Sequence, residues 1–172
     1  MTLTELNQLD KETAAHHFRQ CCVSEAWIAG MIDAMPFDSM QSLYTAADRI
    51  WLALKPSDFK EAFEGHPKIG DVGSLRAKYA NTKALAAGEQ SSVQQADEET
   101  LQALADGNTA YEQRFGYIFI VCATGKSAEE MLTLLKERLH NDPDYEIKVA
   151  AAEQQKITRI RLEKLLQPNE TA

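Results

Sequence analysis

A chain of 172 residues, 44% of them apolar, suits one compact domain with a real hydrophobic core. Its 26 acidic against 18 basic residues leave a net charge of −8, which opposes phosphate backbones and anionic lipid, so neither nucleic acid nor a membrane surface is expected as a partner. No apolar run reaches the ~18 residues of a membrane span, and "MTLTELNQLD" lacks a basic stretch followed by an apolar one, so the protein reads as soluble and cytoplasmic.

In chain order the sequence reads as a string of capped helices. Asp10 precedes "KETAAHHFRQCC", Ser24 precedes "EAWIAGMIDAM", and Asp38 or Ser39 precedes "MQSLYTAADRIWLAL", which stops before Pro56. Ser57 opens a short "DFKEAF" helix. A turn at His66 leads into a loop-rich region with a short helical pattern around "SLRAKYA", and "LAAGEQSSV" breaks the helical pattern again. A long helix is expected from about Gln94 to Phe115. Ser127 and Glu130 form a capping box for "AEEMLTLLKERLH". Asp142 and Pro143 make an N-cap and first-turn pair for a last helix running to about Leu166. "YIFIVCA" alone has strand-like chemistry, but no second strand exists to pair with it, so it reads as a buried helix end or an extended segment. The fold class is all-α, a single-domain multi-helix bundle over residues 1–172.

Some side chains stand out from this frame. His66 lies in "GHPKIGD", where Pro67 stops any helix and restricts the residue before it. A histidine gives and takes a proton near neutral pH, although a loop histidine bonded to backbone is the plainer reading. His16, His17 and His140 lie on helical patterns and read as structural. On the last helix Ile147, Ala150, Ala151, Ile157, Leu162 and Leu165 share a face, with Arg161 near its centre and Arg159 on the opposite side, flanked by Lys156 and Glu163. An arginine on such a stripe needs an anion, which makes it either a structural salt bridge or a clamp for a planar acceptor such as a carboxylate. Glu89 and Gln90, adjacent in a loop, are either solvated or a reader of a polar heterocycle. The three cysteines, Cys21, Cys22 and one further along, form neither an even disulfide framework nor a CxxC pattern and read as small core residues. A di-iron bundle needs two Glu-x-x-His motifs, and only Glu137 to His140 is present.

Together these stretches carry a resemblance. "CCVSEAWIAGMIDAMPF", "AFEGHPKIGD", "GEQSS", "YEQRFGYIFIVCATGKS" and "EQQKITRIRLEKLL" resemble, in order and from about Leu6 to Leu166, the 2-oxo-4-hydroxy-4-carboxy-5-ureidoimidazoline (OHCU) decarboxylases of urate degradation. The resemblance implies that His66 is the catalytic proton donor, positioned by Pro67, with Glu89 as its acid-base partner. It also implies a substrate contacted by Pro67, Ala86, Gln90 and Arg161 and by backbone groups of Phe119, Ile120, Val121, Cys122 and Ala123. A non-helical run at 119–123 would leave amide N–H groups free for that purpose. Ala86 departs from the family, which commonly has Ser or Thr there; a hydroxyl contact is then absent or supplied by Ser91 or Ser92.

The implied chemistry suits these residue types. OHCU carries a carboxylate and a hydroxyl on one ring carbon, beside an imine-like carbon bearing the ureido group. The neighbouring C=N accepts the electron pair left by carbon dioxide, so no pyridoxal, thiamine, metal or other cofactor is implied. The implied product is (S)-allantoin and the implied assembly a homodimer. "NETA" at the C-terminus lacks a peroxisomal Ser-Lys-Leu type signal, in keeping with cytoplasm. Another cofactor-free lyase or hydrolase acting on a ureido or hydantoin compound, or a helical interaction module without chemistry, remains as an alternative.

Overall fold

The computed structural model describes residues 1–66 and 91–166, with backbone alone over 91–97. Eight helices are described: α1 (Leu3–Asn7), α2 (Lys11–Cys21), α3 (Glu25–Ala34), α4 (Met40–Leu52), α5 (Pro56–Glu64), α6 (Ser91–Phe115), α7 (Ala128–Arg138) and α8 (Pro143–Leu165). No strand occurs among the described residues, and the chain is all-α as expected. It divides into two compact units, one of Met1–His66, Ile120–Cys122 and Val149–Ala172, the other of Pro67–Phe119 and Ala123–Lys148.

Side-chain caps set most helix starts. Asp10, Ser24, Ser39 and Ser127 each accept from a backbone N–H of the first turn, satisfying donors that the helix itself leaves orphaned. Ser127 and Glu130 complete the expected capping box. Two starts differ from the sequence reading. The first unit opens with α1, which the pattern missed because five residues are too few to show a period, although Thr2 and Glu5 form a full capping box at its start. Helix α5 begins at Pro56 rather than after Ser57: proline occupies the first turn, where a missing N–H costs nothing, and Asp58 accepts from the N–H of Lys55 at 3.1 Å. Helix α6 begins at Ser91, three residues before the expected Gln94.

In the first unit, α2 packs on α3 and α3 on α4. Trp27 is fully buried, its ring centre 5.9 Å from that of Phe18 in a T-shaped pair, and its Nε1–H donates to the Ala47 carbonyl at 3.2 Å. The Trp51 ring lies tilted against Phe59, centres 4.7 Å apart, and donates to the Ala151 carbonyl of α8 at 2.9 Å. Each such ring, buried with its polar edge satisfied, contributes about 1.5–3 kcal/mol. Asn7 clasps the backbone of Phe37 by two bonds of 2.9 Å, fixing α1 against the link between α3 and α4.

In the second unit α6 lies against α7 so closely that a Cβ on Gly107 would meet Leu135 Cδ2 at 2.5 Å. Only glycine permits that approach without repacking. Tyr111, Leu101, Leu104, Met131 and Leu135 are buried here. The stretch 117–123 is irregular, with no helix in it. Among the described residues no helix is long and apolar enough to cross a membrane.

Candidate active site

His66 sits where α5 ends. Gly65 donates to Ala62 at 3.1 Å and His66 donates its own N–H to Phe63 at 3.2 Å, so the helix closes in tight three-residue turns and the histidine backbone is held in the turn expected of it. Its ring meets α8, where Nε2 lies 2.5 Å from Gln154 Oε1. Gln154 is 1% exposed and spends its other end on Thr158, one turn further along, with Nε2 donating to Oγ1 at 3.0 Å. A buried amide needs both ends partnered, and here both are.

This corrects the sequence reading of the last helix. Its buried line runs through Ala150, Ala151, Gln154, Thr158 and Leu162, while Ile147, Ile157 and Leu165 are only partly buried and Arg161 borders the line rather than centring it. A count of apolar residues passed over Gln154 and Thr158, which tolerate burial because they hydrogen-bond each other and a neighbour. Two polar residues four apart inside an apolar stripe were the available signal.

Arg161 lies two turns from Gln154 on nearly the same face of α8. It donates from a terminal nitrogen to the Cys21 carbonyl at 3.3 Å, at the C-terminus of α2 where helical carbonyls lack partners. Among the described residues no carboxylate comes within ion-pair distance of it, so the salt-bridge alternative finds no partner there. A guanidinium has five donors, and one carbonyl engages only part of that fork. Arg159, as expected, faces away: it is half-exposed, 3.9 Å from Asp48 and 3.7 Å from Glu163, with its guanidinium 4.2 Å from the Tyr44 ring centre.

Cys21 and Cys22 are buried beside this arginine. Burial pushes the Cys21 thiol up to about 11, and the Arg161 charge offsets only part of the rise. Burial likewise pushes Cys22 up to about 12, with the Thr158 hydroxyl and Arg161 pulling the other way. Both stay protonated thiols, which fits small core residues rather than nucleophiles.

Residues 120–122 are fastened to the same helix. Glu153 Oε1 accepts the Cys122 N–H at 2.9 Å, and its Oε2 meets Lys156 Nζ at 2.6 Å. The expectation of free amides along 119–123 therefore fails at Cys122, because a carboxylate one residue from Gln154 takes that donor. At Val121 no acceptor for the N–H occurs among the described residues. Phe119 and Ala123 belong to the second unit, where Phe119 packs 5.2 Å from Tyr111 and under the Arg138 guanidinium at 4.5 Å. Pro67, Ala86, Glu89 and Gln90 lie outside the described residues. His66, Gln154, Thr158, Arg161 and 120–122 are thus all anchored through α8 within one unit. Among the described residues no group of three His, Cys, Asp or Glu side chains could hold a metal ion.

Of the remaining histidines, His17 is half-buried, its Nδ1 without a hydrogen-bond partner among the described residues. His16 is exposed and 3.1 Å from Gln20, and His140 is exposed beyond α7.

Comparison with known proteins bears on this arrangement. A family model described as OHCU decarboxylase matches residues 7–163, through both units. The uric acid degradation bifunctional protein TTL of Arabidopsis thaliana is 35% identical over 154 residues, which cover 90% of this chain and 48% of that protein. The 2-oxo-4-hydroxy-4-carboxy-5-ureidoimidazoline decarboxylase of Amia calva is 42% identical over 60 residues, 35% of this chain and 34% of that protein. The chain thus spans about half the length, or less, of the curated relatives it matches. A crystal structure of OHCU decarboxylase determined in the presence of (S)-allantoin superposes with a TM-score of 0.68 at 36% identity, covering 93% of this chain and 100% of that one. With a family model running over nearly the whole chain, this protein belongs to the OHCU decarboxylase family.

Proposed function

We propose that this chain decarboxylates OHCU to (S)-allantoin in urate degradation, without a cofactor, with His66 delivering the stereospecific proton. The observation that carries the reading is His66 itself, the family-motif histidine, gripped by a buried amide at 2.5 Å in a chain matched over residues 7–163 by the decarboxylase family. Arg161, with donors to spare, suits a substrate carboxylate or another planar acceptor, and a donor such as the Val121 N–H suits a ring oxygen or nitrogen.

The reaction balances with no help from outside beyond a proton from water. The bond to the carboxylate breaks, carbon dioxide leaves, and the electron pair forms a double bond to the ureido-bearing carbon while the C=N pair moves onto nitrogen. That nitrogen takes up a proton from water, the ureido-bearing carbon gains another, and the hydroxyl on its neighbour loses one to become a carbonyl. The net change is loss of carbon dioxide and uptake of the one proton that the departing carboxylate no longer balances. A rigid imidazole giving the proton to one face of the planar intermediate sets the hand of the product, and acid-base help of this kind is typically worth roughly 10²–10⁴ in rate. Glu89 is the partner that resets the histidine, with Pro67, Ala86, Gln90 and 119–123 lining the substrate. A homodimer in the cytoplasm completes the reading.

The test is circular dichroism of a urate degradation mixture containing 5-hydroxyisourate hydrolase, with and without this protein. Faster OHCU loss with optically active product is expected; an unchanged rate with racemic allantoin would remove the assignment. Activity should survive exhaustive dialysis against EDTA, and activity that returns only with added metal would remove the cofactor-free mechanism.

A further inference from the structure

His66 meets α8 through a neutral side chain that the sequence reading did not assign to the site. Gln154 is buried with its oxygen on the imidazole and its nitrogen on Thr158. The direction of this relay follows from the atoms in contact. Gln154 Nε2 donates to Thr158 Oγ1 at 3.0 Å, so the amide oxygen faces His66. An amide oxygen only accepts, and the imidazole must therefore carry its proton on Nε2.

We propose that Gln154 is a positioning residue for His66, its amide oxygen holding the Nε2 proton so that the ring plane and tautomer are fixed. The proposal rests on the reading of His66 as proton donor, and it adds which nitrogen carries the resting proton and what aims the ring. An amide suits this task better than a carboxylate. It accepts the N–H without favouring the imidazolium so strongly that the ring can no longer cycle between charge states. A buried partner also holds the ring steady, and loss of such an orienting contact typically lowers activity roughly 10- to 100-fold, more when the tautomer is lost.

The experiment is a long-range ¹H–¹⁵N spectrum of the full chain labelled at histidine, with His66 assigned by the resonances that vanish in His66→Asn. The wild type should show His66 protonated at Nε2. Gln154→Leu should give mixed tautomers and lower kcat about 10- to 100-fold with KM within about twofold, and Gln154→Glu, which keeps an oxygen on the same stem but adds a charge, should restore the Nε2 proton while moving the pH profile of kcat to higher pH. Thr158→Val, which lets the amide rotate while filling the same volume, should shift the tautomer partway and serves even where Gln154→Leu folds poorly. A wild-type ring protonated at Nδ1 alone, or unchanged spectra and kcat in both Gln154→Leu and Thr158→Val, would overturn the proposal. A His66→Asn variant with full turnover would instead overturn the assignment of His66 as proton donor while leaving the tautomer result standing.

Discussion

Glu146 and Gln154 lie eight residues apart on α8, both buried and both hydrogen-bonded, yet they close their networks in opposite ways. In the second unit Glu146 accepts from the Tyr111 hydroxyl, from Arg138 Nε at 2.7 Å and from Asn141 Nδ2 at 2.8 Å. The full negative charge is met by a full positive one, with Arg138 NH2 at 2.5 Å, and by two neutral donors. Burial and the bond to Glu146 push the Tyr111 hydroxyl far above its ordinary range, so it stays a donor at any ordinary pH. The carboxylate at its centre is bonded at both oxygens. In the first unit Gln154 brings no charge, holds a ring that can change its own, and shares its helix with an arginine that meets, among the described residues, a carbonyl. A buried charge demands completion and becomes structure. A neutral relay leaves the titrating group able to act.

The contrast breaks most visibly at Glu146. Glu146→Ala would take the carboxylate away from the buried Arg138 guanidinium, and removing one partner of a buried pair costs about 3–5 kcal/mol. In a chain of this size that corresponds to a melting temperature lower by roughly 6–20 °C. Thermal denaturation followed by far-UV circular dichroism measures it, and the folded fraction should keep its specific activity. A loss below about 1 kcal/mol would show the pair to be no more than a surface contact.

His66 should behave in the reverse manner. His66→Asn, and Glu89→Gln with it, should lower turnover at least about a hundredfold, in line with acid-base contributions, while the melting temperature stays within about 3 °C of the wild type. Variants that unfold yet retain specific activity would mark both residues as structural and erase the distinction between the two networks.

How far the sequence anticipated this depends on what each residue's neighbours show along the chain. Caps are local, so Asp10, Ser24, Ser39 and Ser127 announced their helices, and the all-α class followed from them. The Thr2 and Glu5 box was equally local but opened too short a run to be noticed. His66 was visible because Pro67 follows it and because "GHPKIGD" resembles a family motif. Glu146, Gln154 and Thr158 were not visible, since polar residues on a helix read as solvent-facing until their partners arrive. Those partners come from 35 residues away for Tyr111 to Glu146 and 88 for His66 to Gln154. Helical phasing separated Arg161 from Arg159 correctly and misplaced the centre of the buried line, because a stripe counted from apolar residues alone omits polar ones that bury themselves in pairs.

The finest test of the contrast uses those two arginines. Arg161 offers a planar fork with one contact to the Cys21 carbonyl, whereas Arg159 already meets Asp48, Glu163 and the Tyr44 ring. Arg161→Lys keeps the charge and the bond toward Cys21 within reach but removes the second parallel donor, so a substrate anchored bidentately should bind about tenfold more weakly, roughly the worth of one hydrogen bond to a charged group. The melting temperature should move by only about 2 °C, since a single contact to a helix-end carbonyl is a small part of stability. Arg159→Lys keeps a cation among exposed partners and should leave both KM and melting within error, because half-exposed ion pairs are worth about 1 kcal/mol at most. Steady-state kinetics of both variants decide the matter. Equal losses at 159 and 161 would mean that neither guanidinium reaches substrate and that the spare donors of Arg161 belong to the fold, which would place the arginine with Glu146 among residues whose bonds are complete.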